Sequence, residues 1–339
     1  MLKLNALVAG STGYIGVQLI KLLVKHKHIN IKYLCGNTSV GKKISSFERS
    51  LSSKKLPKIV KFDKKYLDHV DVIFTALPNG EAQDISKFLR KNNVLIDLAA
   101  DFRLEKSSEY SKWYKQKHRA VNNIKKSIYS LPEITGNKIK KFNIIGCPGC
   151  YPTSILIPLI PLLKKKLIKI KNIIIDSKSG YSGAGRSVHK KYKNKNLYES
   201  LSAYGVGFHR HNSEIEQELK KYNKNIEFDF TPHLTPMFRG ILSTIYIDLS
   251  KNSSQLKIIK ELKKFYKKCN FIKIQKRDKL ISTNDVINTN YCNISVCKSK
   301  NGSKLVILSS IDNLIKGGAG QAIQNLNIKF NLPETTGIK

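Results

Sequence analysis

One cysteine of this sequence stands where a nucleophile would be expected. The segment Gly146-Cys147-Pro148-Gly149-Cys150-Tyr151-Pro152-Thr153 follows an apolar run of strand character and precedes a helical run that includes Ile155. Proline is tolerated in the first turn of a helix, so Pro152 predicts that Cys150 lies at a helix N-terminus or one residue before it. Free backbone N–H groups and the helix dipole stabilise a thiolate at such a position. Cys150 is therefore the candidate nucleophile.

Two other interpretations of this segment remain open at this stage. Cys147 and Cys150 form a C-x-x-C pair, which is typical of a redox dithiol or of half a zinc site. Zinc needs a second pair or suitably spaced histidines, and the other four cysteines supply no second C-x-x-C, so no metal site is predicted. A non-enzymatic dithiol protein would explain the pair but not two other features described below, the glycine turn near residue 10 and His211. A buried cysteine can also be a small apolar residue and no more.

A glycine turn near residue 10 predicts a dinucleotide site. A strand-like run, residues 2–9, leads into Gly10-Ser11-Thr12-Gly13-Tyr14-Ile15-Gly16, and a helical run follows. Such glycines let the backbone approach a pyrophosphate, which the helix N-terminus stabilises. The spacing is G-x-x-G-x-x-G rather than the commoner G-x-G-x-x-G, so the prediction depends on the flanking strand and helix.

The loop after the predicted second strand, residues 29–35, favours NADP over NAD. An NAD enzyme places an acidic residue near this point to bind the ribose 2′-hydroxyl, but the first acidic residue of the chain is Glu48. Ser39, Lys42 and Lys43 are better suited to a 2′-phosphate. The alternative is a solvated loop whose lysines only reflect composition.

Further polar segments complete the predicted site. The predicted strand 70–77 ends at Pro78, where a cofactor could lie, and Arg103 closes the run Asp-Phe-Arg. A glycine-rich loop, residues 179–186, contains Gly183 and Arg186. His209-Arg210-His211 begins an amphipathic helix. In an extended or a helical backbone these two imidazoles would point in different directions, so we expect His211, rather than both, to serve the thiol.

The elements that must position these residues predict an α/β fold of two domains. Residues 1–149 should form a Rossmann-type, doubly wound parallel sheet, with further strands at 70–77 and 94–98 and an irregular connection at 104–140. Residues 150–312 should form an α+β domain with a mixed, largely antiparallel sheet. Its predicted strands are 170–176, 227–231, 241–249, 271–274, 293–296 and 304–311. A last helix within 313–339 should complete the first domain, and Pro158 and Pro161 should kink or end the helix that follows Cys150.

Composition excludes several classes of function. The chain has 339 residues and a formal net charge of +37, yet its lysines are dispersed and no nucleic-acid-binding motif is present, so no nucleic-acid partner is predicted. No apolar run reaches the length of a membrane span. No signal peptide is recognised, and six scattered cysteines suit a reducing cytoplasm.

The motifs together resemble the N-acetyl-γ-glutamyl-phosphate reductase family. The resemblance rests on G-S-T-G-Y-I-G, D-L-A-A-D-F-R-L, L-P-E, G-C-P-G-C-Y-P-T, S-G-x-S-G-A-G-R, H-R-H-x-x-E-I, T-P-H-L-x-P-M-x-R-G-I and D-N-L-x-K-G-G-A-G-Q-A, which occur in the family's order from Leu2 to about Lys329. Cys147 departs from that pattern.

The resemblance implies NADPH-dependent reduction of an acyl phosphate through a thioester on Cys150, with His211 as acid and base. It implies Gly183 and Gly317 near the cofactor. Because a guanidinium group matches phosphate oxygens, Arg103 is the candidate for the departing phosphate, and Arg186 or Arg210 would hold the substrate carboxylate. The alternative for each arginine is a surface ion pair. A small-molecule substrate and a homodimer or homotetramer are expected. The alternatives are aspartate-semialdehyde dehydrogenase, whose cysteine and histidine contexts differ, and a carrier-protein-linked reductase of lysine biosynthesis.

Overall fold

The chain divides into two units in the computed structural model, which describes residues 3–186, 199–251, 253–300, 302 and 304–338. One unit comprises Met1–Pro148 together with Gly318–Lys339, and the other comprises Gly149–Gly317. Cys150 and His211 therefore belong to the same unit, and the glycine turn at residues 10–16 belongs to the other.

A parallel sheet forms the centre of the first unit, as the sequence predicts, and it has seven strands. Its order is β3-β2-β1-β4-β5-β7-β6. The strands are β1 (Leu4–Ala9), β2 (Ile29–Cys35), β3 (Ile59–Val60), β4 (Val72–Thr75), β5 (Val94–Asp97), β6 (Ser127–Tyr129) and β7 (Ile144–Gly146). All residues of β4 and β5 are buried, as expected of parallel strands covered on both faces. The strand order reverses between β1 and β4, and ligands of such sheets bind beyond the carboxyl ends of the strands at that point.

The second unit is built on a mixed sheet in the order β12-β13-β14-β11-β8-β10-β9. Its strands are β8 (Ile173–Gly180), β9 (Ser202–Ala203), β10 (Phe228–Thr235), β11 (Ile241–Asp248), β12 (Ile272–Ile274), β13 (Cys292–Lys298) and β14 (Lys304–Ile311). Among the strands that the structure describes, only the pairs β8–β10 and β12–β13 are parallel, which confirms the predicted, largely antiparallel sheet. Burial alternates along β8, β10 and β11, so one face of the sheet packs against helices.

The helices of the described residues are short except for the one that carries Cys150. They are α1 (Tyr14–Leu23), α2 (Glu81–Ser86), α3 (Ser107–Tyr114), α4 (Val121–Ile124), α5 (Pro132–Thr135), α6 (Cys150–Lys164), α7 (His211–Lys220), α8 (Gln255–Phe265) and α9 (Gly320–Lys329). A π-turn, Ile315–Ala319, precedes α9. No helix among these residues is long and apolar enough to cross a membrane.

Pro158 and Pro161 were predicted to kink or end the helix after Cys150, and they do not end it. Helix α6 continues through Pro158 and Pro161 to Lys164, and both prolines are buried. Pro161 removes the N–H that would pair with the carbonyl of Ile157. The hydroxyl of Tyr266, at the end of α8, donates to that carbonyl instead over 2.5 Å. A tertiary hydrogen bond thus satisfies one group that the proline leaves unpaired.

Candidate active site

Cys150 is the first residue of α6, as its sequence context predicts. The preceding residue, Gly149, is the N-cap, with an extended backbone (φ −66°, ψ 160°), no side-chain cap and no acidic residue in the first helical turn. Cys150 is partly exposed, and its thiol is not in a disulfide. A thiol at this position lies next to helix N–H groups, which stabilise the thiolate.

Gly149 makes room for the imidazole of His211. A Cβ atom at residue 149 would lie 2.4 Å from His211 Nε2, so no other side chain fits there. His211 is the first residue of α7 and its side chain is 17% exposed. The histidine predicted as the acid and base therefore lies against the residue that directly precedes Cys150.

The carboxylate of Glu214 ties the histidine helix to the cysteine turn. Its side chain is fully buried, and its Oε2 accepts a hydrogen bond from the N–H of Gly149 over 2.9 Å. Its Oε1 lies 3.8 Å from His211 Nε2. The motif H-x-x-E signals this residue, because positions three apart on a helix share a face, but sequence reasoning gave it no role.

The expectation that the two imidazoles of the H-R-H motif point apart is wrong. Their ring centroids are 4.7 Å apart, edge to face, and the backbone N–H of His211 donates to His209 Nδ1 over 3.2 Å. The segment is a tight turn in which Arg210 is already helical, and both rings contact the ring of Tyr151, at 5.7 and 5.8 Å. This aromatic contact brings together what local geometry alone would separate.

Desolvation makes the first of the two histidines a weak base. Desolvation, with a smaller contribution from the charge of Arg210, lowers the pKa of His209 to about 4. His209 is therefore neutral at pH 7 and a weak base, whose Nδ1 accepts the backbone N–H of His211. The remaining imidazole of the pair, that of His211, is the better candidate for proton transfer.

Gly317 lies at the nucleophile. A Cβ atom at residue 317 would come within 2.6 Å of the Cβ of Cys150. The Gly317 N–H donates to the backbone carbonyl of the buried Asp312 over 2.9 Å. Gly183 is exposed, and a Cβ there would meet Ser179 Oγ and Asn313 Nδ2 at 3.4 and 3.5 Å. Gly317 therefore leaves room for the side chain of Cys150, and the roles of Gly183 and Gly317 at the cofactor remain predictions.

The three predicted arginines have different surroundings. Arg103 is 9% exposed and donates to the backbone carbonyls of Cys147 and Leu98, over 2.8 and 3.1 Å. Arg210 and Arg186 are exposed, and residues 187–198, which follow Arg186, lie outside the described part of the chain. Arg103 thus holds a loop of the first unit together, whether or not it also binds phosphate.

Asp101, the first residue of the Asp-Phe-Arg run, is buried and has a structural role. The carboxylate of Asp101 accepts hydrogen bonds from the N–H groups of Gly80, Ala82 and Gln83 at the start of α2, and from the Tyr110 hydroxyl. Burial, followed by this neighbouring carboxylate, raises the pKa of Asp97. The Asp101 side chain thus caps the N-terminus of α2 from another segment of the chain, so sequence spacing does not reveal this role.

Cys147 is unsuited to dithiol chemistry. The residue is 1% exposed, and burial raises the pKa of its thiol to about 12 despite a hydrogen bond from Asn325 Nδ2 over 3.6 Å. A thiol with such a pKa stays protonated and unreactive at neutral pH. The redox interpretation of the C-x-x-C pair therefore loses its second nucleophile.

The glycine turn of the first unit fits a dinucleotide pyrophosphate. Gly10 has φ +82°, and a Cβ there would lie 2.2 Å from the carbonyl of Ala76; at Gly16 a Cβ would lie 2.2 Å from the carbonyl of Gly10. Gly13 is different, because its Cβ position has only ordinary contact with protein, at 3.7 Å. Gly13 is also the N-cap of α1, whose first turn has no side-chain cap and no acidic residue. Gly10 and Gly16 build the turn, and Gly13 leaves space for a phosphate at the helix N-terminus.

The other residues of this predicted turn differ in how exposed they are to solvent. Ser11 is buried and its hydroxyl donates to the carbonyl of Cys35 over 3.1 Å, so it fixes the turn to the end of β2. Thr12, Tyr14 and Ile15 are partly exposed. A role in binding the cofactor remains a prediction for each of these residues.

A cavity of about 290 Å³ continues from this turn along the carboxyl ends of β1, β2 and β3. Its lining includes Gly10, Asn37 and Lys61. Ser39, predicted to meet the 2′-phosphate, is buried and does not line this cavity, and Pro78 is exposed. Lys61 was not singled out from the sequence because β3 has only two residues, too few to be recognised as a strand that ends at this cavity. Within the residues described, no group of three or more His, Cys, Asp or Glu is arranged to hold a metal ion.

Comparison with protein families and sequences agrees with this geometry. Residues 5–142 match the semialdehyde dehydrogenase NAD-binding domain, and residues 150–313 match the semialdehyde dehydrogenase dimerisation domain. The chain is 42% identical to an N-acetyl-γ-glutamyl-phosphate reductase of Ehrlichia ruminantium, over 99% of this chain and 97% of that protein. It is 41% identical to a probable chloroplastic N-acetyl-γ-glutamyl-phosphate reductase of Arabidopsis thaliana, over 97% of this chain and 82% of that protein.

Solved structures share the fold at low sequence identity. Aspartate semialdehyde dehydrogenase II of Vibrio cholerae superposes with a TM-score of 0.72 at 16% identity, over 98% of this chain and 99% of that one. The Candida albicans aspartate semialdehyde dehydrogenase with NADP gives 0.66 at 18% identity, over 96% and 98% of the two chains. These similarities confirm the predicted two-domain fold.

Proposed function

Because the chain belongs to the N-acetyl-γ-glutamyl-phosphate reductase family, we propose that it reduces N-acetyl-L-glutamyl 5-phosphate to N-acetyl-L-glutamate 5-semialdehyde and phosphate, with NADPH, in arginine biosynthesis. The observation that carries the proposal is the placement of Cys150 at a helix N-terminus, with the His211 imidazole packed over the preceding glycine. The identity to curated reductases extends over nearly the whole chain, whereas the aspartate semialdehyde dehydrogenases are similar only in fold.

The first chemical step belongs to Cys150. Its thiolate attacks the acyl carbon of the substrate, a C–S bond forms, and the C–O bond to phosphate breaks, which leaves a thioester. The proton of the thiol goes to His211, and the first turn of α6 stabilises the sulfur anion. When the aldehyde product leaves, His211 can return the proton to the sulfur. NADPH, when bound, supplies the hydride that reduces the thioester carbonyl.

Glu214 positions this pair. Its two oxygens face the N–H of Gly149 and Nε2 of His211, at 2.9 and 3.8 Å. A buried carboxylate at this place fixes the turn before the nucleophile and stabilises the imidazolium that forms when His211 takes a proton. Glu214 is thus a positioning residue that acts through Gly149 and His211.

The arginines divide the anionic groups of the substrate between them in this proposal. Arg103 receives the departing phosphate, and Arg186 or Arg210 holds the substrate carboxylate, because a guanidinium group matches both anions. Arg103 already bonds two carbonyls, so Arg103→Lys separates the two roles. A phosphate role predicts a raised KM for phosphate in the oxidative direction, whereas a purely structural role lowers stability and leaves that KM unchanged.

The turn Gly10–Gly16 would hold the pyrophosphate of the cofactor, and Lys61 would meet a 2′-phosphate at the end of β3. The absence of an acidic residue between β2 and Glu48 supports NADP over NAD. The match to a dimerisation domain supports a homodimer or homotetramer. Six cysteines without a disulfide support a reducing compartment, the cytoplasm.

The experiment that tests this function compares substrates in the oxidative direction. The protein is assayed with NADP⁺ and phosphate, against N-acetylglutamate semialdehyde and against aspartate semialdehyde. We expect kcat/KM to favour the acetylated substrate by about a hundredfold or more, since a site built for its polar groups discriminates strongly. Preference for aspartate semialdehyde would refute the proposal, and activity only on a carrier-linked substrate would assign the chain to the lysine pathway.

A further inference from the structure

A second cavity lies at the opposite edge of the parallel sheet from the glycine turn. It measures about 1080 Å³, and its walls include the residues just before β5, β6 and β7, namely Asn93, Lys126 and Asn143. The glycine turn follows the carboxyl end of β1. The cavity therefore lies at the amino ends of three adjacent strands, away from the proposed cofactor site within the same unit.

All charged residues in the lining of this cavity are positive. Seven of its seventeen lining residues are lysine or arginine, and none is aspartate or glutamate. The cations come from the segments 87–91, 119–126 and 141, which converge only in the folded protein. The chain as a whole has 61 lysine and arginine residues against 24 aspartate and glutamate residues, and within this lining no acidic residue balances the cations.

Four of these cations have no carboxylate partner within the described residues. Arg90 pairs with Asp68, and Arg119 and Lys87 pair with Asp84, at 2.6 to 3.0 Å. The other four are exposed and form no ion pair there: Lys91, Lys125, Lys126 and Lys141. Like charges gathered in one concave surface create a field that attracts anions.

One more lysine contacts a residue of the lining, Asn143. Lys329, at the end of α9, donates to the carbonyl of Lys140 and to the side-chain oxygen of Asn143, each over 2.9 Å. Its partners are neutral oxygens, and partial burial lowers the pKa of its ammonium group. A bound anion would stabilise its charged form.

We propose that this cavity binds a compact anion with several phosphate groups, a nucleoside triphosphate or a polyphosphate chain. The volume suits one small molecule rather than a long polymer. Asparagine side chains in the lining, such as Asn122, add amide donors for phosphate oxygens. Nothing in the proposed reductase chemistry uses this cavity, so the inference does not depend on that function.

Calorimetric titration of the full chain tests the proposal. Sodium tripolyphosphate and ATP are titrated separately at low ionic strength, with saturating NADP⁺ to keep the glycine turn filled. We expect binding that weakens as salt is added, because the contacts are between exposed charges. Equal affinity for the two ligands would identify the phosphate chain as the recognised group, and tighter binding of ATP would identify a nucleotide site; both support the proposal.

A matched pair of variants locates the site. The triple variant Lys125→Gln, Lys126→Gln, Lys141→Gln should weaken tripolyphosphate binding by about tenfold or more and leave reductase activity unchanged. The control Lys264→Gln, Lys267→Gln, Lys268→Gln removes the same charge from exposed positions of the other unit and should leave binding nearly unchanged. No binding by the unmodified protein, equal losses in both variants, or tighter binding of a 20-nucleotide RNA than of tripolyphosphate would overturn the proposal.

Discussion

At the scale of single residues, the position of a residue within a helix was easier to predict than the direction of its side chain. The sequence context of Cys150 located the start of α6 correctly, because proline and glycine restrict the backbone locally. The direction of the His209 and His211 side chains could not be predicted, because the Tyr151 ring that both contact is 58 residues or more away in sequence. Glu214 had no assigned role for the same reason, since its partner Gly149 is distant along the chain.

The two histidines should differ in their effect on catalysis. His211→Asn should lower the chemical step by about a hundredfold or more, the usual scale for a lost general acid and base. His209→Asn should mainly raise KM or reduce stability, because the pKa of His209, about 4, keeps its imidazole neutral at pH 7. Single-turnover rates of both variants measure this. A larger loss of rate at His209 would mean that the wrong imidazole has been assigned.

The low pKa of His209 also predicts a pH dependence of stability. The unfolded chain binds a proton at this residue near pH 6.5, but the folded chain does so only near pH 4. Because only the unfolded chain is protonated at His209 between these pH values, the free energy of unfolding is unaffected above pH 6.5 and falls as the pH drops toward 4. The loss between pH 7 and pH 5 is about 2 kcal/mol.

Urea denaturation at pH 7 and pH 5 checks this value. His209→Asn should lose less unfolding free energy on acidification than the unmodified protein, by about 2 kcal/mol. His69→Asn, at an exposed position of the first unit, serves as the control. Equal pH dependence of His209→Asn and the unmodified protein would show that His209 is not desolvated.

At the scale of elements, strands flanked by turn residues were predictable and helices with internal proline were not. The strands β2 and β14 have the predicted bounds, residues 29–35 and 304–311. The strand β6 was missed, because three residues within an irregular connection carry too little periodicity. Helix α6 continues through Pro158 and Pro161 because distant residues satisfy and bury it, as the bond from Tyr266 to the Ile157 carbonyl illustrates.

Removal of the Tyr266 hydroxyl should therefore destabilise the second unit. Tyr266→Phe leaves the buried Ile157 carbonyl without this donor, which costs about 1–3 kcal/mol of unfolding free energy. Tyr246→Phe removes a hydroxyl from an exposed position of β11 and should have little effect. Denaturant unfolding of the two variants provides the comparison, and equal stability of both would contradict the role given to Tyr266.

At the scale of the whole molecule, the types of the two sheets followed from the sequence. Alternation between apolar strands and glycine turns predicts a doubly wound sheet, and the shared fold of proteins at 16% identity agrees with it. The lining of cavities was not predictable, since it joins residues from separate strand ends. Lys61 and the basic cavity before β5, β6 and β7 are examples.

Lys61 should set the preference between cofactors. Lys61→Ala removes the cation that lines the cavity at the end of β3 and should reduce the ratio of kcat/KM for NADPH to that for NADH by roughly three- to tenfold, the scale of one exposed charge contact. Lys58→Ala, an exposed lysine before β3 that does not line the cavity, is the control. An unchanged ratio in Lys61→Ala would place the 2′-phosphate elsewhere.

The central claim is that Cys150 carries the acyl group, and it can be measured directly. The protein is mixed with N-acetylglutamyl phosphate in the absence of NADPH, and intact mass, peptide mapping and released phosphate are recorded. We expect an acyl adduct on Cys150, phosphate released in equal amount, and neither in Cys150→Ser. Cys147→Ser should form the adduct normally, because the Cys147 thiol is buried and its pKa is raised to about 12. An adduct on Cys147, or equal loss of acylation in the two variants, would contradict the account.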